Sequence, residues 1–219
     1  MPMASYLVLF GPQGSGKGTQ AEYLVAALRV SRIAPGDIFR REKEAGTDLG
    51  KLVAAYTARG ELAPLDITNS LMEKRLGEAD CVRGFILDGY PRNVLQADAL
   101  DGMLRTLEKT LSQVFEIWIS DDEAVARIGG RRVCACGASY HVVHNPPKKE
   151  GICDSCGKPL SVRDDDKPDA IKRRLEIYHH DTEPLFERYR ARGIFTRING
   201  EQSISKVRED IFTALTTAS

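Results

Sequence analysis

A chain of 219 residues can bury one substantial core with room for small insertions. Hydrophobic residues at 42% and charged residues at 28% read as an ordinary soluble globular protein. Lys plus Arg number 31 and so do Asp plus Glu, so no global field draws the chain to nucleic acid or an anionic membrane, and any positive potential must be local.

The start, Met1-Pro2-Met3-Ala4-Ser5, has no basic segment followed by a long apolar stretch, and no run approaches a membrane span. A reducing cytoplasm is the expected compartment. Tyr6 to Phe10 is a short apolar run ending at a glycine, the pattern of a buried parallel strand. A glycine-rich turn follows, and Gln20 to Leu28 has helical character. A short strand is expected around Ile33. Residues 34–63 are charged and mainly helical, closed by Gly60 and Pro64. Further strands are expected at Gly84–Asp88, Val114–Ile119 and Phe195–Ile198, with helical segments between them. Residues 130–166 hold four cysteines, three prolines and several glycines, with little helical pattern. Ser203 is a candidate N-cap for a last helix carrying Ile204, Val207, Ile211 and Leu215 on one stripe. This alternation predicts a three-layer α/β fold around a five-stranded parallel sheet. Residues 1–33, 64–129 and 167–219 form its core, and 34–63 and 130–166 are two insertions with the look of mobile lids.

Gly11-Pro12-Gln13-Gly14-Ser15-Gly16-Lys17-Gly18-Thr19 has the spacing of a phosphate-binding loop, placed after a strand and before a helix. Its glycines let backbone N–H groups turn toward one anion, and the helix N-terminus adds its positive dipole end. Lys17 would serve as a mobile positive charge on a transferring phosphoryl group. Gly18 follows the lysine, so the hydroxyl comes one place late, at Thr19.

The GKGT ending points to a family. The chain resembles adenylate kinase in its long-lid form, from about Tyr6 to the last helix. The loop resembles the family's nucleotide-binding loop, and Gly84-Phe85-Ile86-Leu87-Asp88-Gly89-Tyr90-Pro91-Arg92 is similar to its signature segment, with Gln96 four residues beyond the arginine. Arg127 to Arg132, Tyr140-His141 and Asn145-Pro146-Pro147-Lys148 resemble the entry and body of its lid. The resemblance implies a P-loop fold with an acceptor-binding insertion (34–63) and a zinc-ribbon-like lid (130–166). It also implies reversible, Mg2+-dependent transfer of the terminal phosphoryl group of ATP to AMP, giving two ADP.

Site residues follow by the same resemblance. ATP would be held by Gly14, Ser15, Gly16, Lys17, Gly18 and Thr19, with Arg127, Arg131, Ser139, Tyr140 and Gln202. AMP would be held by Pro35, Arg40, Glu61, Leu62, Ala63, Gly89, Tyr90, Pro91, Arg92 and Gln96, with Arg163 and Arg174. Lys17, Asp88, Arg92, Arg127, Arg131, Arg163 and Arg174 would carry the reaction, Asp88 holding magnesium through bound water. Chemistry independently asks for guanidinium forks opposite the loop, because two highly charged nucleotides repel each other. Arg127 and Arg131, four apart on an expected helix, would share one face. The family usually has a threonine where this chain has Pro35, so a hydroxyl and a backbone donor are absent there. Asp165 and Asp166 match a family aspartate pair, while Asp164 reads as a solvated hinge charge.

Cys153-Asp154-Ser155-Cys156-Gly157 is a good zinc half-site, with two thiolates, two residues between them and a glycine after the turn. Cys134-Ala135-Cys136-Gly137 is one residue short of the usual spacing, which is expected to cost the turn that directs backbone N–H groups at sulfur. Structural Zn2+ bound by Cys134, Cys136, Cys153 and Cys156 is the expected use, holding a lid with too little apolar surface to fold alone. His141 and His144 are expected to be ordinary lid residues, and Cys81 a buried small hydrophobe.

Two other readings compete. A UMP/CMP kinase is suggested by Asn93 after Arg92, whereas Gln96 and the cysteine-bearing lid favour AMP. A zinc-ribbon nucleic-acid module fused to a nucleotide switch finds little basis, with zero net charge and few aromatics among the cysteines. The expected partners are therefore ATP, AMP and ADP, with no nucleic acid and no membrane, acting on a monomer.

Overall fold

The computed structural model describes residues 5–59, 61–163 and 166–217. The expected closing glycine Gly60 and the hinge residues Asp164 and Asp165 lie outside the described residues. Five strands make one parallel sheet: β1 (Ser5–Phe10), β2 (Ser31–Ile33), β3 (Gly84–Asp88), β4 (Gln113–Trp118) and, last in the chain, Phe195–Asn199. That last strand is β7, because β5 (Arg131–Val133) and β6 (Ser139–His141) pair separately as an antiparallel ribbon. The spatial order β2-β3-β1-β4-β7 places β1 at the centre. Chain order reverses direction across β1, so the crevice at its C-terminal end is the place where an open α/β sheet takes a ligand.

Period-two alternation sends successive strand residues to opposite faces. Val8, Phe10, Phe85, Leu87 and Val114 pack on one side with α4 (Leu65–Leu76), α5 (Val94–Thr106) and α8 (Leu185–Ala191). Leu7, Leu9, Ile86, Phe115 and Ile117 pack on the other with α1 (Lys17–Leu28) and α9 (Ile204–Thr217). Both faces are therefore dry, which explains why the strands read as unbroken apolar runs. One carboxylate interrupts this: Glu116 on β4 is fully buried, accepting from the Tyr178 hydroxyl (3.0 Å) and from Arg197 Nε on β7 (2.6 Å).

Two excursions leave the sheet. α2 (Pro35–Glu44) and α3 (Asp48–Ala58) follow β2 as a helical pair, and Gly50 lets α3 approach the Glu42 backbone of α2 closely. Thr47 caps α3 by accepting from the Gly50 N–H at 3.0 Å. The second excursion leaves α6 (Asp121–Gly129) and returns at α7 (Pro168–Ile177), with the β5–β6 ribbon and the cysteines between. A single turn of wide helix, Tyr178–Thr182, joins α7 to α8. Among the described residues no helix is long and apolar enough to cross a membrane.

Candidate active site

The loop between β1 and α1 turns through left-handed backbone at Gly14 (φ 79°) and Gly16 (φ 89°), where a Cβ would be strained. Gly16 caps α1 with no side-chain acceptor, so the first N–H groups of the helix keep no intrahelical partner and face the crevice. An anion satisfies them and the helix dipole together. Lys17 folds back on the loop, its Nζ donating to the carbonyls of Gly11 (2.6 Å) and Pro12 (2.7 Å) and to Ser15 Oγ (3.3 Å). Burial pushes the Lys17 ammonium down to about 7; Asp88 opposes this, and Arg92, Arg174 and Arg131 add to it. These three arginines come from the turn after β3, from α7 and from the start of β5, so the fold converges positive charge on one point. Thr19, on the first turn of α1, is exposed at the crevice.

Arg127, at the end of α6, pairs with Glu123 through Nε (2.6 Å) and reaches toward the Gly14 carbonyl (3.5 Å). Arg131 lies beyond the helix: α6 stops at Gly129 and Arg131 opens β5. The expected shared helical face is therefore corrected; Gly130 ends the helix, and the two arginines approach from different elements. Arg131 makes a two-pronged ion pair with buried Asp166. Arg163 is half-buried.

Arg92 is fixed from three sides. Its Nε donates to the Gly89 carbonyl (2.7 Å), its backbone N–H to Gln96 Oε1 (2.7 Å), and its carbonyl accepts from the Thr182 hydroxyl (2.9 Å). The Tyr90–Pro91 bond is cis, and Gly89 adopts φ 71° with the Arg92 guanidinium where a Cβ would stand. Gln96, expected to hold AMP, is buried and holds Arg92 with its oxygen, a positioning contact. Tyr90 is wholly buried, its hydroxyl donating to Asn69 Oδ1 (3.0 Å), so its side chain supports the turn from beneath.

On the other side, Pro35 is the first residue of α2, where the missing N–H would have had no helical partner. Arg40, one turn on, forms an ion pair with Asp37. Glu61 pairs with Arg59 (2.7 Å), and Leu62 and Ala63 continue the half-exposed segment toward α4. Arg32, which no sequence motif marks, lies between Asp37 and Asp88. Asp88 closes β3 beside β1, largely buried and electrostatically coupled to Lys17, so its carboxylate fits a hydrated magnesium ion brought by a nucleotide.

In the second excursion the four thiols come together. All four sulfurs lie within 4.8 Å of one another, Cys134 and Cys156 at 3.4 Å and Cys136 and Cys153 at 3.6 Å. Thiolates about 2.3 Å from zinc stand about 3.8 Å apart at the corners of a tetrahedron, so the donor set fits that ion. The short half-site is not impaired as expected: the Gly137 N–H closes the turn onto the Cys134 carbonyl (2.9 Å), and the Cys136 N–H still faces the Cys134 sulfur. The Tyr140 hydroxyl foremost, with the backbone N–H groups of Ser155 and Cys156, pulls the Cys153 thiol down to about 6 against the effect of burial. Tyr140, expected on the ATP side, is therefore buried in the lid interior 3.5 Å from Cys153 Sγ. Ser139 beside it is exposed, and Gln202 donates to Asp210 at 2.7 Å ahead of α9. His141 accepts the N–H groups of Val143 and His144 at Nδ1 and takes no part in the sulfur cluster.

A phosphate loop at the switch point of a parallel sheet, faced by converging arginines, defines a P-loop phosphotransferase. A family model described as adenylate kinase matches residues 9–194. The chain is 46% identical over 205 residues to the adenylate kinase of Methanosarcina mazei, covering 94% of this chain and 95% of that one. It is 45% identical over 211 residues to the Streptomyces griseus adenylate kinase (95% and 96% covered) and 42% identical over 210 residues to that of Caldicellulosiruptor bescii (95% and 98% covered). The chain belongs to the adenylate kinase family. Its reaction is the magnesium-dependent, reversible exchange of a phosphoryl group between ATP and AMP, which leaves the UMP/CMP reading and the nucleic-acid switch without support.

Proposed function

We propose that ATP seats its phosphates on the Gly14–Thr19 loop and that AMP lies opposite, its phosphate between Arg40 and Arg92. The observation that carries this division is the convergence of Arg92, Arg131 and Arg174 on Lys17. Two anionic substrates meeting there need several fixed cations, and the elements that supply them are separate enough to close from different sides. Arg127, Arg131, Ser139 and Gln202 flank the donor, and the Tyr140 side chain, buried in the lid, supports Ser139 from behind. Pro35, Glu61, Leu62, Ala63, Gly89, Pro91 and Gln96 line the acceptor, the buried Tyr90 ring supports that turn from beneath, and Arg163 and Arg174 span both phosphates.

Asp88 would hold magnesium through a bound water, and the ion would neutralise charge on the donor phosphates. Lys17 then exchanges its contacts with the Gly11 and Pro12 carbonyls for the phosphoryl group in transfer. No side chain needs to act as a base, because the acceptor is itself a phosphate oxygen and transfer is chiefly a matter of placement and charge. Residues 34–63 and 130–166 are the moving parts, closing on a core of 1–33, 64–129 and 167–219 so that water is excluded before transfer. The chain is read as a cytoplasmic monomer with neither membrane nor nucleic-acid partner, and its balanced charge provides no field that would draw it to either polyanion.

Steady-state kinetics test the division. Lys17→Met should lower kcat by about a thousandfold with the melting curve retained. Arg40→Ala and Arg92→Ala should raise KM for AMP about tenfold or more while KM for ATP stays within about twofold. Equal effects on both substrates would refute the acceptor assignment.

A further inference from the structure

Four charged side chains form one unbroken chain across the crevice. Arg32, in the middle of edge strand β2, sends Nε (3.1 Å) and Nη2 (2.6 Å) to the same oxygen of Asp88. Its Nη1 donates to Asp37 Oδ2 at 2.8 Å, and the other oxygen of Asp37 takes Arg40. The sequence of charges is Asp88 minus, Arg32 plus, Asp37 minus, Arg40 plus. The Arg32 side chain is 29% exposed and that of Asp88 only 9%, so the pairing is shielded from solvent. The guanidinium also lies against the first turn of α1: a Cβ at Gly18 would find Arg32 Nη2 as its neighbour at 3.6 Å.

The two ends of the chain are groups that substrates compete for. Asp88 is the carboxylate assigned to magnesium, and Arg40 is the guanidinium assigned to the acceptor phosphate. We propose that Arg32 is a positioning residue that couples magnesium loading at Asp88 to acceptor capture at Arg40. The inference rests on the donor and acceptor assignments above and adds the link between them.

The sign of the coupling follows from electrostatics. A divalent cation at Asp88 repels Arg32 and shifts its hydrogen bonds toward Asp37. Asp37, better satisfied by Arg32, then releases Arg40 to the AMP phosphate. In the reverse direction, phosphate capture of Arg40 leaves Asp37 to Arg32 alone and frees Asp88 for the metal. Each event favours the other, as linkage requires. Glutamine at position 32 breaks the chain, and lysine keeps the charge but has no fork to span two carboxylates.

The test is calorimetric binding of AMP to the protein holding a non-hydrolysable ATP analogue, with and without Mg2+. In the natural protein Mg2+ should tighten AMP binding about fivefold, the lower end of ordinary coupling between sites. In Arg32→Gln and Arg32→Lys that gain should fall below about twofold, whatever happens to the absolute affinity. A purely structural role would change affinity in both conditions and leave the ratio intact, so an unchanged Mg2+ gain in the two variants overturns the proposal. A second readout is the Arg40 Nε–Hε resonance, which should shift when Mg2+ is added to the natural protein and stay still in Arg32→Lys. Arg40→Ala separates the levels: if it leaves AMP affinity unaltered, the acceptor assignment fails first and the coupling with it.

Discussion

Lys17 is the residue on which the electrostatics of the crevice concentrate. Burial and three arginines depress its ammonium to about 7, with Asp88 alone opposing them among the leading influences. A bound triphosphate reverses that balance, so nucleotide binding between about pH 7 and 10 should take up close to one proton per chain. Calorimetry in buffers of different ionisation enthalpy reads this directly; a binding enthalpy at pH 8 independent of the buffer would contradict it. The same depression means that unfolding takes up a proton in this window, so the ligand-free fold gains stability as pH rises from about 7 to 10.5. The loop itself was plain in the sequence, because glycine spacing and the lysine encode local geometry. Arg32 was not: nothing in its local sequence distinguishes it from a surface charge, and its partners lie 5 and 56 residues away.

At the scale of elements, short-range chemistry was readable and termination was less so. The Gly84–Asp88 strand and the last helix after Ser203 form where their patterns put them, with Ser203 Oγ accepting the Lys206 N–H at 3.2 Å. Arg127 and Arg131 misled because helical spacing assumes that the helix continues, and Gly130 stops it. The lid could be read from its cysteines alone, since its fold depends on sulfur geometry and very little on apolar pattern. Its buried apolar cluster is small, centred on Cys134, Tyr140 and Cys153 with Ala138 and Leu160 against it. Metal bound by the four thiols would therefore supply most of the ordering of this segment. Purified protein should contain zinc at a one-to-one ratio by elemental analysis. Chelation or Cys153→Ser should lower Tm by about 5 °C or more and cut turnover at least about tenfold. Full activity in metal-free protein would show that the ribbon folds unaided.

The whole molecule is a five-stranded sheet carrying two appendages, which on the proposed function close over the crevice. A five-stranded parallel sheet could be expected from alternating elements, whereas its strand order was not written in any local pattern. Nor were the supports of the crevice, since the Thr182 hydroxyl reaches the Arg92 carbonyl across 90 residues of chain. A reaction limited by reopening of these appendages should slow as solvent viscosity rises, with kcat falling roughly in proportion to relative viscosity. A kcat indifferent to glycerol and sucrose alike would place the limit at the chemical step.

Trp118, the only tryptophan in the chain, is the last residue of β4, and its carbonyl accepts the Gly200 N–H at 2.7 Å just before Gln202. Its indole is partly exposed at the end of the sheet where the crevice opens. On the proposed division of the crevice, this places an optical reporter at the donor rim. Addition of a non-hydrolysable ATP analogue should change the intensity or wavelength of its emission without any attached dye, and Trp118→Phe should abolish the signal. Stopped-flow fluorescence could then follow each round of closing and opening in the unlabelled chain.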